Sequence, residues 1–159
     1  HERSFQMMEQ VSGRAGRKNK QGTVIIQSWQ PGHPIIRDVV NHDYESMYHR
    51  ELAERQRFKY PPYYRLVMVK LKHKDYNLLN RAAAVLAREM KARFGDLVYG
   101  PEYPMVSRVK NKFIKQILLK IPRNMQQAEQ KNKLRKIIDD FKGLTAFKPV
   151  IIQPDVDPQ

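Results

Sequence analysis

Residues 64–95, YRLVMVKLKHKDYNLLNRAAAVLAREMKARFG, contain the pattern that decides the fold of this chain. The side chains of residues 64–72 are expected to alternate between the two faces of a strand. Val67, Val69 and Leu71 lie on one face of this predicted strand, and Leu66 and Met68 lie on the other. Helical spacing follows, with Asp75 as the N-cap and Gly95 as the stop. The apolar stripe of this predicted helix consists of Leu79, Ala82, Ala83, Leu86 and Met90.

The residues after Gly95 complete a regular alternation of strands and helices. Residues 97–109 predict a strand interrupted early by prolines, and residues 113–121 predict its partner beyond a short turn at residues 110–112. A last helix and a closing strand at residues 148–153 follow; the apolar face of the helix is Leu134, Ile137, Ile138 and Phe141. The order β-α-β-β-α-β is the split βαβ, ferredoxin-like arrangement. Residues 63–159 are therefore predicted to form a small α+β domain.

Residues 1–60 do not fit this unit, and we interpret them as the end of another domain. Residues 4–17 predict a helix that has Ser4 as its N-cap and runs into a turn at Gly13–Arg17, because two close glycines are unfavourable in a helix interior. The β-branched run at 23–29 predicts a buried strand. Asp43 is suited to cap a second helix. The stiff segment Tyr60-Pro61-Pro62-Tyr63 marks the boundary, because prolines end a helix and extend the chain.

The charge of the chain is strongly positive and unevenly distributed. Thirty Lys and Arg against 16 Asp and Glu give a net charge of +14. Within residues 103–136 there are 10 basic side chains and one acidic side chain. Such a local excess favours a polyanionic partner, nucleic acid first, over a merely solvated face.

The predicted strand pair around residue 111 carries the candidate nucleic-acid surface. Alternate residues share one face of a strand, so Arg108, Lys110 and Lys112 are expected to form a row. Tyr103 and Phe113 are open to two interpretations, stacking on bases or packing in the core. The candidate DNA-binding residues are Arg108, Lys110, Lys112, Lys115, Lys120 and Arg123.

The segment from Gln10 to Arg17, QVSGRAGR, is the sharpest chemical signal. Arginine is always charged and can bind two phosphate oxygens at once through its guanidinium group. Glycine has no side chain, so the backbone can approach a ligand closely. Arg14 and Arg17 therefore have the character of arginine fingers, which neutralise charge on a transferring phosphoryl group. From residue types alone, a basic surface turn is an equally good interpretation.

The motif resembles motif VI of superfamily-two helicases, Q-x-x-G-R-x-G-R. Its flanks narrow the resemblance to the primosomal protein N′ (PriA) family of replication-restart DNA helicases. The matching segments are Glu2–Gln6, Gly22–Gln27, His33-Pro34, Asp43-Tyr44, Tyr60–Tyr63, Gly100-Pro101, Gln116–Lys120 and Asp155–Pro158. They follow in order along the whole chain.

The resemblance implies part of an ATP-dependent 3′-to-5′ DNA helicase that recognises stalled or forked DNA and restarts replication by primosome assembly. It implies that residues 1–60 form the end of the second motor lobe. It also implies that Gln10, Arg14 and Arg17 contact the nucleotide. The implied cofactors are ATP and Mg²⁺, together with zinc bound in an upstream region. It further implies a cytoplasmic protein whose partners are forked or single-stranded DNA, single-stranded-DNA-binding protein and other primosome proteins. The chain has no G-x-x-x-x-G-K-[ST] loop, so by itself it is expected to be inactive as an ATPase.

Two other functions compete with this interpretation. The chain is alternatively a basic ferredoxin-like RNA- or DNA-binding domain, or an adaptor domain without motor function. The paired-aromatic motif of RNA-recognition domains is absent, and neither alternative requires the QVSGRAGR motif. No metal site is expected, since there is no cysteine and the histidines are scattered. No membrane contact is expected, because no run of the sequence approaches the roughly 18 apolar residues of a membrane span. Asp155 and Asp157 are interpreted as structural carboxylates that form salt bridges to a neighbouring domain.

Overall fold

A computed structural model describes residues 2–15 and 22–158 of the chain. The chain divides into two compact units, unit 1 (His1–Phe58) and unit 2 (Lys59–Gln159). Unit 1 is helical where it is described, and unit 2 combines helices with an antiparallel sheet. The fold class is α+β, as the alternation of patterns in the sequence predicts.

Unit 1 contains helices α1 (Glu2–Ser12), α2 (Pro34–Val40) and α3 (Tyr44–Arg57). Its core is one cluster of four buried side chains: Phe5, Ile35, Val39 and Met47. The predicted cap of α3 is confirmed, because the Asp43 carboxylate accepts a hydrogen bond from the Ser46 N–H at 2.9 Å. Asp38 is buried and forms an ion pair with Arg50 of α3, which ties α2 to α3.

The predictions for the rest of unit 1 were partly wrong. Ser4 lies inside α1, which begins at Glu2, so it is not the N-cap. The helix ends at Ser12 and a turn follows at residues 13–15, which agrees with the turn predicted from Gly13 onward as far as the chain is described. Pro34 is the first residue of α2, where its missing N–H costs no helical hydrogen bond, and the His33 ring accepts from the Ile35 N–H at 3.2 Å.

The strand predicted at residues 23–29 is also absent. The segment is not part of any ladder, and Ile25 and Trp29 are exposed by 88% and 102%. Ile26 packs against the core of unit 1 as a partly buried side chain. A strand is stabilised only when another strand pairs with its N–H and C=O groups. Among the described residues of unit 1, no strand does so.

Unit 2 is built on a sheet whose strands are β1 (Tyr64–His73), β2 (Val98–Glu102), β3 (Arg108–Val109), β4 (Lys112–Pro122) and β5 (Ile151–Val156). The order is β2-β4-β1-β5, with the short β3 paired to β4. Every pairing is antiparallel. With one helix after β1 and one after β4, this is the split βαβ topology that the sequence predicts.

The helices of unit 2 are α4 (Tyr76–Phe94) and α5 (Gln127–Lys142), which share a core with the sheet. The Asp75 carboxylate caps α4 by accepting from the Leu78 N–H at 2.8 Å, and Gly95 is the C-cap, as predicted. The predicted apolar stripes of both helices are buried. Val67, Val69 and Leu71 face this core, which confirms the predicted alternation of β1.

Two strand boundaries differ from their predictions. The strand predicted at 97–109 is two strands, β2 and β3, because the register shifts between Tyr99 and Glu102 and the following segment leaves the ladder. The closing strand lies at Ile151–Val156, three residues beyond its predicted start. It includes Pro154, which is tolerated because β5 is an edge strand and pairs only with β1 among the described strands.

Gly100 marks the irregular point of β2, and we expect Gly100→Ala to destabilise unit 2. Its φ is +95°, and an added Cβ would lie 2.9 Å from the Gln116 carbonyl oxygen of β4. Backbone strain of this kind typically costs about 1–3 kcal/mol. The free energy of unfolding from urea titrations checks the value. Gly32→Ala is the control, since a Cβ there would meet nothing within 4 Å; equal losses would contradict the assignment.

Candidate functional site

The candidate nucleic-acid surface is a β-hairpin formed by β3 and the first residues of β4. Val109 pairs with Lys112, so the turn has two residues, Lys110 and Asn111. Both have positive φ, 47° and 60°, as a type I′ turn requires. Arg108 donates a hydrogen bond to the Asn111 side chain, which fastens the strand to its own turn. The local sequence therefore produces a tight tip that carries positive charge.

The predicted row of Arg108, Lys110 and Lys112 is wrong, because the turn reverses the chain between them. Arg108 is paired with Phe113 and Val109 with Lys112, and cross-strand partners share a face. Arg108 and Lys112 consequently lie on opposite faces, with the exposed Lys110 at the tip. The hairpin thus presents cations on both faces and at its end. We call the group of Arg108, Lys110, Lys112 and Lys115 the basic hairpin.

Lys120 does not belong to this surface. Its side chain is buried, with Nζ 3.8 Å from the Tyr60 ring centroid and 4.8 Å from that of Tyr99. Burial lowers the pKa of Lys120, and the nearby Lys59 ammonium lowers it further. A cation held between two rings is poorly placed to meet phosphate. Its packing ties the start of unit 2 to the sheet.

Arg123 is exposed, but the structure does not bring it to the basic hairpin. It follows the far end of β4, which has 11 residues. At about 3.3 Å per residue, Arg123 lies roughly 36–40 Å along the strand from the turn. Its N–H donates to the Tyr63 carbonyl at 2.9 Å, beside the start of β1. Of the six predicted DNA-binding residues, four are therefore grouped together.

Aromatic side chains adjoin the basic hairpin, and one of them was missed by sequence reasoning. Phe113 is half-buried against the core, whereas Tyr103 is 37% exposed. Tyr76, the first residue of α4, is 48% exposed; its ring lies parallel to that of Tyr103, with centroids 5.9 Å apart. The Tyr103 hydroxyl donates to Asn80 at 2.7 Å. A hydrogen bond with Tyr103 lowers the pKa of Tyr76, while burial raises the pKa of Tyr103.

The segment predicted to contact the nucleotide lies at the end of α1 and is only partly described. Gln10 is exposed on the last turn of the helix, and Arg14 is exposed in the turn that follows. The Arg14 N–H donates to the Val11 carbonyl at 3.1 Å, so Gly13 and Arg14 leave the helix in a tight turn. Arg17 lies outside the described residues. Both described side chains are open to an external ligand.

Among the described residues, the terminal carboxylates Asp155 and Asp157 form their contacts within unit 2. Asp157 accepts from the Leu66 N–H at 3.1 Å and pairs with Arg65 at 3.3 Å. Asp155 pairs with Lys70 at 3.2 Å. These contacts fasten β5 along β1.

Metal-binding clusters and membrane-spanning helices are both missing from the described part of the chain. No group of three or more His, Cys, Asp or Glu side chains gathers within residues 2–15 and 22–158 in a way suited to hold a metal ion. None of the helices in those ranges is long and apolar enough to cross a membrane.

Comparisons of the sequence with a family model and with curated proteins identify the same protein family. The family described as Primosomal protein N C-terminal domain matches residues 56–159. The Replication restart protein PriA of Bacillus subtilis is 36% identical over 159 residues, covering 99% of this chain and 19% of that protein. Its counterpart in Treponema pallidum is 36% identical over 163 residues, covering 99% of this chain and 23% of the relative.

A third relative, from Synechocystis, is 35% identical over 124 residues, covering 76% of the chain and 15% of that protein. The chain thus spans about a fifth of the length of the curated relatives it matches. The matched family covers all of the sheet and both helices of unit 2. This chain therefore belongs to the replication restart protein PriA family.

Proposed function

We propose that this chain forms part of an ATP-dependent 3′-to-5′ DNA helicase that restarts replication at stalled or forked DNA in the cytoplasm. In this proposal, unit 2 holds the phosphate backbone of forked or single-stranded DNA with the basic hairpin. The observation that carries it is the hairpin itself, where four cations are grouped around a tight turn of a domain of the PriA family. Its relatives bear the name Replication restart protein PriA.

The electrostatics of the hairpin support phosphate binding. Among the residues that the structure describes, no carboxylate lies within ion-pair distance of Lys110, Lys112 or Lys115, whereas Lys70 and Lys133 each have one. The charges of the hairpin are therefore left for an external anion. Lysines on a turn and at strand edges meet the backbone of a nucleic acid and not its base edges, so binding is expected to be independent of sequence.

The second part of the proposal concerns the nucleotide. Gln10, Arg14 and Arg17 reach ATP and Mg²⁺ held by the rest of the motor, and the two arginines stabilise charge on the γ-phosphoryl group. Support comes from the match to motif VI and from the exposure of Gln10 and Arg14. Zinc in an upstream region, single-stranded-DNA-binding protein and the other primosome proteins complete the proposed assembly.

Replacing Lys110, Lys112 and Lys115 together by Gln should weaken DNA binding by the 159-residue chain and reduce its dependence on salt. If the chain makes about four to six phosphate contacts, the log–log slope with salt is about −3 to −4 for a single strand. The triple variant should flatten that slope by roughly one to two units. Fluorescence anisotropy with a labelled oligonucleotide at several salt concentrations measures both quantities.

A matched variant distinguishes the effect of direct contacts at the hairpin from the effect of the net charge of the chain on DNA binding. Lys91, Lys136 and Lys148 are exposed elsewhere on unit 2, and their replacement by Gln changes the charge by the same amount. This control should retain the parental slope. Equal effects of the two triple variants would mean that the hairpin is not the contact surface, and an absence of DNA binding by the parent at low salt would favour the adaptor function instead.

A further inference from the structure

An exposed aromatic pair stands beside the basic hairpin. The pair consists of Tyr76 and Tyr103, from the start of α4 and the segment after β2, and we call it the tyrosine pair. Phe113 of β4 meets Tyr76 edge-on, with centroids 5.5 Å apart and an interplanar angle of 78°. Because Phe113 packs against the core, it anchors the pair to the hairpin. The hydrogen bond from Tyr103 to Asn80 restrains the second ring.

The exposure of the pair sets it apart from another stacked pair in this domain. Phe141 and Phe147 are also stacked, with centroids 5.2 Å apart, but Phe141 is only 3% exposed and belongs to the core. Tyr76 and Tyr103 are 48% and 37% exposed instead. Aromatic rings that only pack in a protein core are normally buried, because the burial of their apolar surface is what stabilises the fold. The tyrosine pair leaves that surface open to a ligand.

Cations of the basic hairpin are held close to these rings. The Lys115 ammonium is 4.5 Å from the Tyr103 ring centroid, and the Arg108 guanidinium carbon is 5.0 Å from that of Phe113. A ligand at this edge therefore meets aromatic surface and positive charge together. A single nucleic-acid strand combines flat unpaired bases with a phosphate at every step, which is the complementary combination.

We propose that the tyrosine pair stacks on an unpaired base of a single strand whose phosphates are held by the basic hairpin. The inference rests on the proposed DNA binding and adds to it a preference for unpaired over paired nucleotides. Paired bases keep their faces covered by neighbouring base pairs, so a duplex offers the hairpin its phosphates alone. The domain would then distinguish the single-stranded part of a fork from its arms without recognising sequence.

The test compares two labelled strands of equal length, an oligothymidine and a strand whose central nucleotides are abasic. Both carry the same phosphates, so only stacking distinguishes them. The parental 159-residue chain should bind the oligothymidine about tenfold more tightly, in line with the usual effect of base–aromatic stacking. Equal affinity for the two strands, with a normal salt slope, would overturn the inference and leave the proposed DNA binding intact. Failure to bind either strand would overturn both.

Variants assign the preference to particular rings. Tyr76→Leu combined with Tyr103→Leu should abolish the preference for bases while retaining the salt slope. The Tyr→Phe pair should keep the preference, because the rings remain. The lysine triple variant should weaken binding of both strands but retain their ratio.

Tyr99 provides a matched control, since it is 40% exposed on β2 and packs beside Lys120, away from the hairpin. Tyr99→Leu should leave the preference unchanged. Circular dichroism and thermal unfolding establish that each variant is folded. An unchanged preference in the double leucine variant, or an equal loss in Tyr99→Leu, would overturn the assignment to the tyrosine pair.

Discussion

Replacing Arg14 or Arg17 by Ala in the full-length protein is expected to lower DNA-stimulated ATP turnover by about 10³-fold, with DNA binding nearly unchanged. Arginine fingers stabilise charge on the γ-phosphoryl group, and their removal typically costs at least that factor in rate. Arg→Lys at either position should recover little activity, because an ammonium cannot reproduce the bidentate fork of a guanidinium. Steady-state ATPase assays at saturating DNA measure the effect.

The control for this experiment is Arg3→Ala. Arg3 is also an exposed arginine of α1, but it lies near the start of the helix, away from Gly13 and Arg14. Its loss should leave turnover within about twofold, as expected for a surface substitution. Parental ATPase and unwinding rates in both Arg14→Ala and Arg17→Ala would show that the motif is a basic surface turn.

Leu119→Ala should destabilise unit 2 by about 3–4 kcal/mol, within the usual range for a buried leucine. Leu119 is 0% exposed at the centre of the sheet, where it pairs with Val67 on one side and Val98 on the other. Truncation removes apolar contacts and leaves a cavity under α4, because neighbouring strands are held by their ladders. Urea unfolding followed by circular dichroism gives the change in free energy.

Leu118 is the matched control, being the same residue type one position earlier on β4. Its side chain points to the opposite face of the sheet and is only half-buried. Leu118→Ala should therefore cost about 1 kcal/mol. A larger loss at Leu118 than at Leu119 would mean that the two faces of β4 are wrongly assigned.

The fold of unit 2 could be predicted from sequence because its signals are local. The alternation around Val67 and Val69 depends on a two-residue period, and the stripe of α4 depends on 3.6 residues per turn. Asp75 caps α4 through a hydrogen bond to a residue three positions away. Such signals are complete within a few residues, so no knowledge of the partner segment is needed.

The candidate site could be predicted only in part. The basic hairpin follows from adjacent residues, but its two faces depend on a turn of two residues, where the sequence pattern predicts three. Lys120 carries the same charge as Lys115, yet one is buried between rings and the other lies at the edge. The segment from Tyr60 that covers Lys120 is some sixty residues earlier in the chain, beyond the reach of any periodicity.

What the sequence by itself determined is the alternation of strands and helices in unit 2, its family and the positions of its charges. Only the tertiary structure decided that residues 23–29 form no strand, that Lys120 is buried, and that Tyr76 meets Tyr103. The physical reason is the range of the interactions. Hydrogen bonds of caps and helices join near neighbours, whereas strand pairing and ring packing join segments far apart in the chain, and their outcome depends on which surfaces the whole fold brings together.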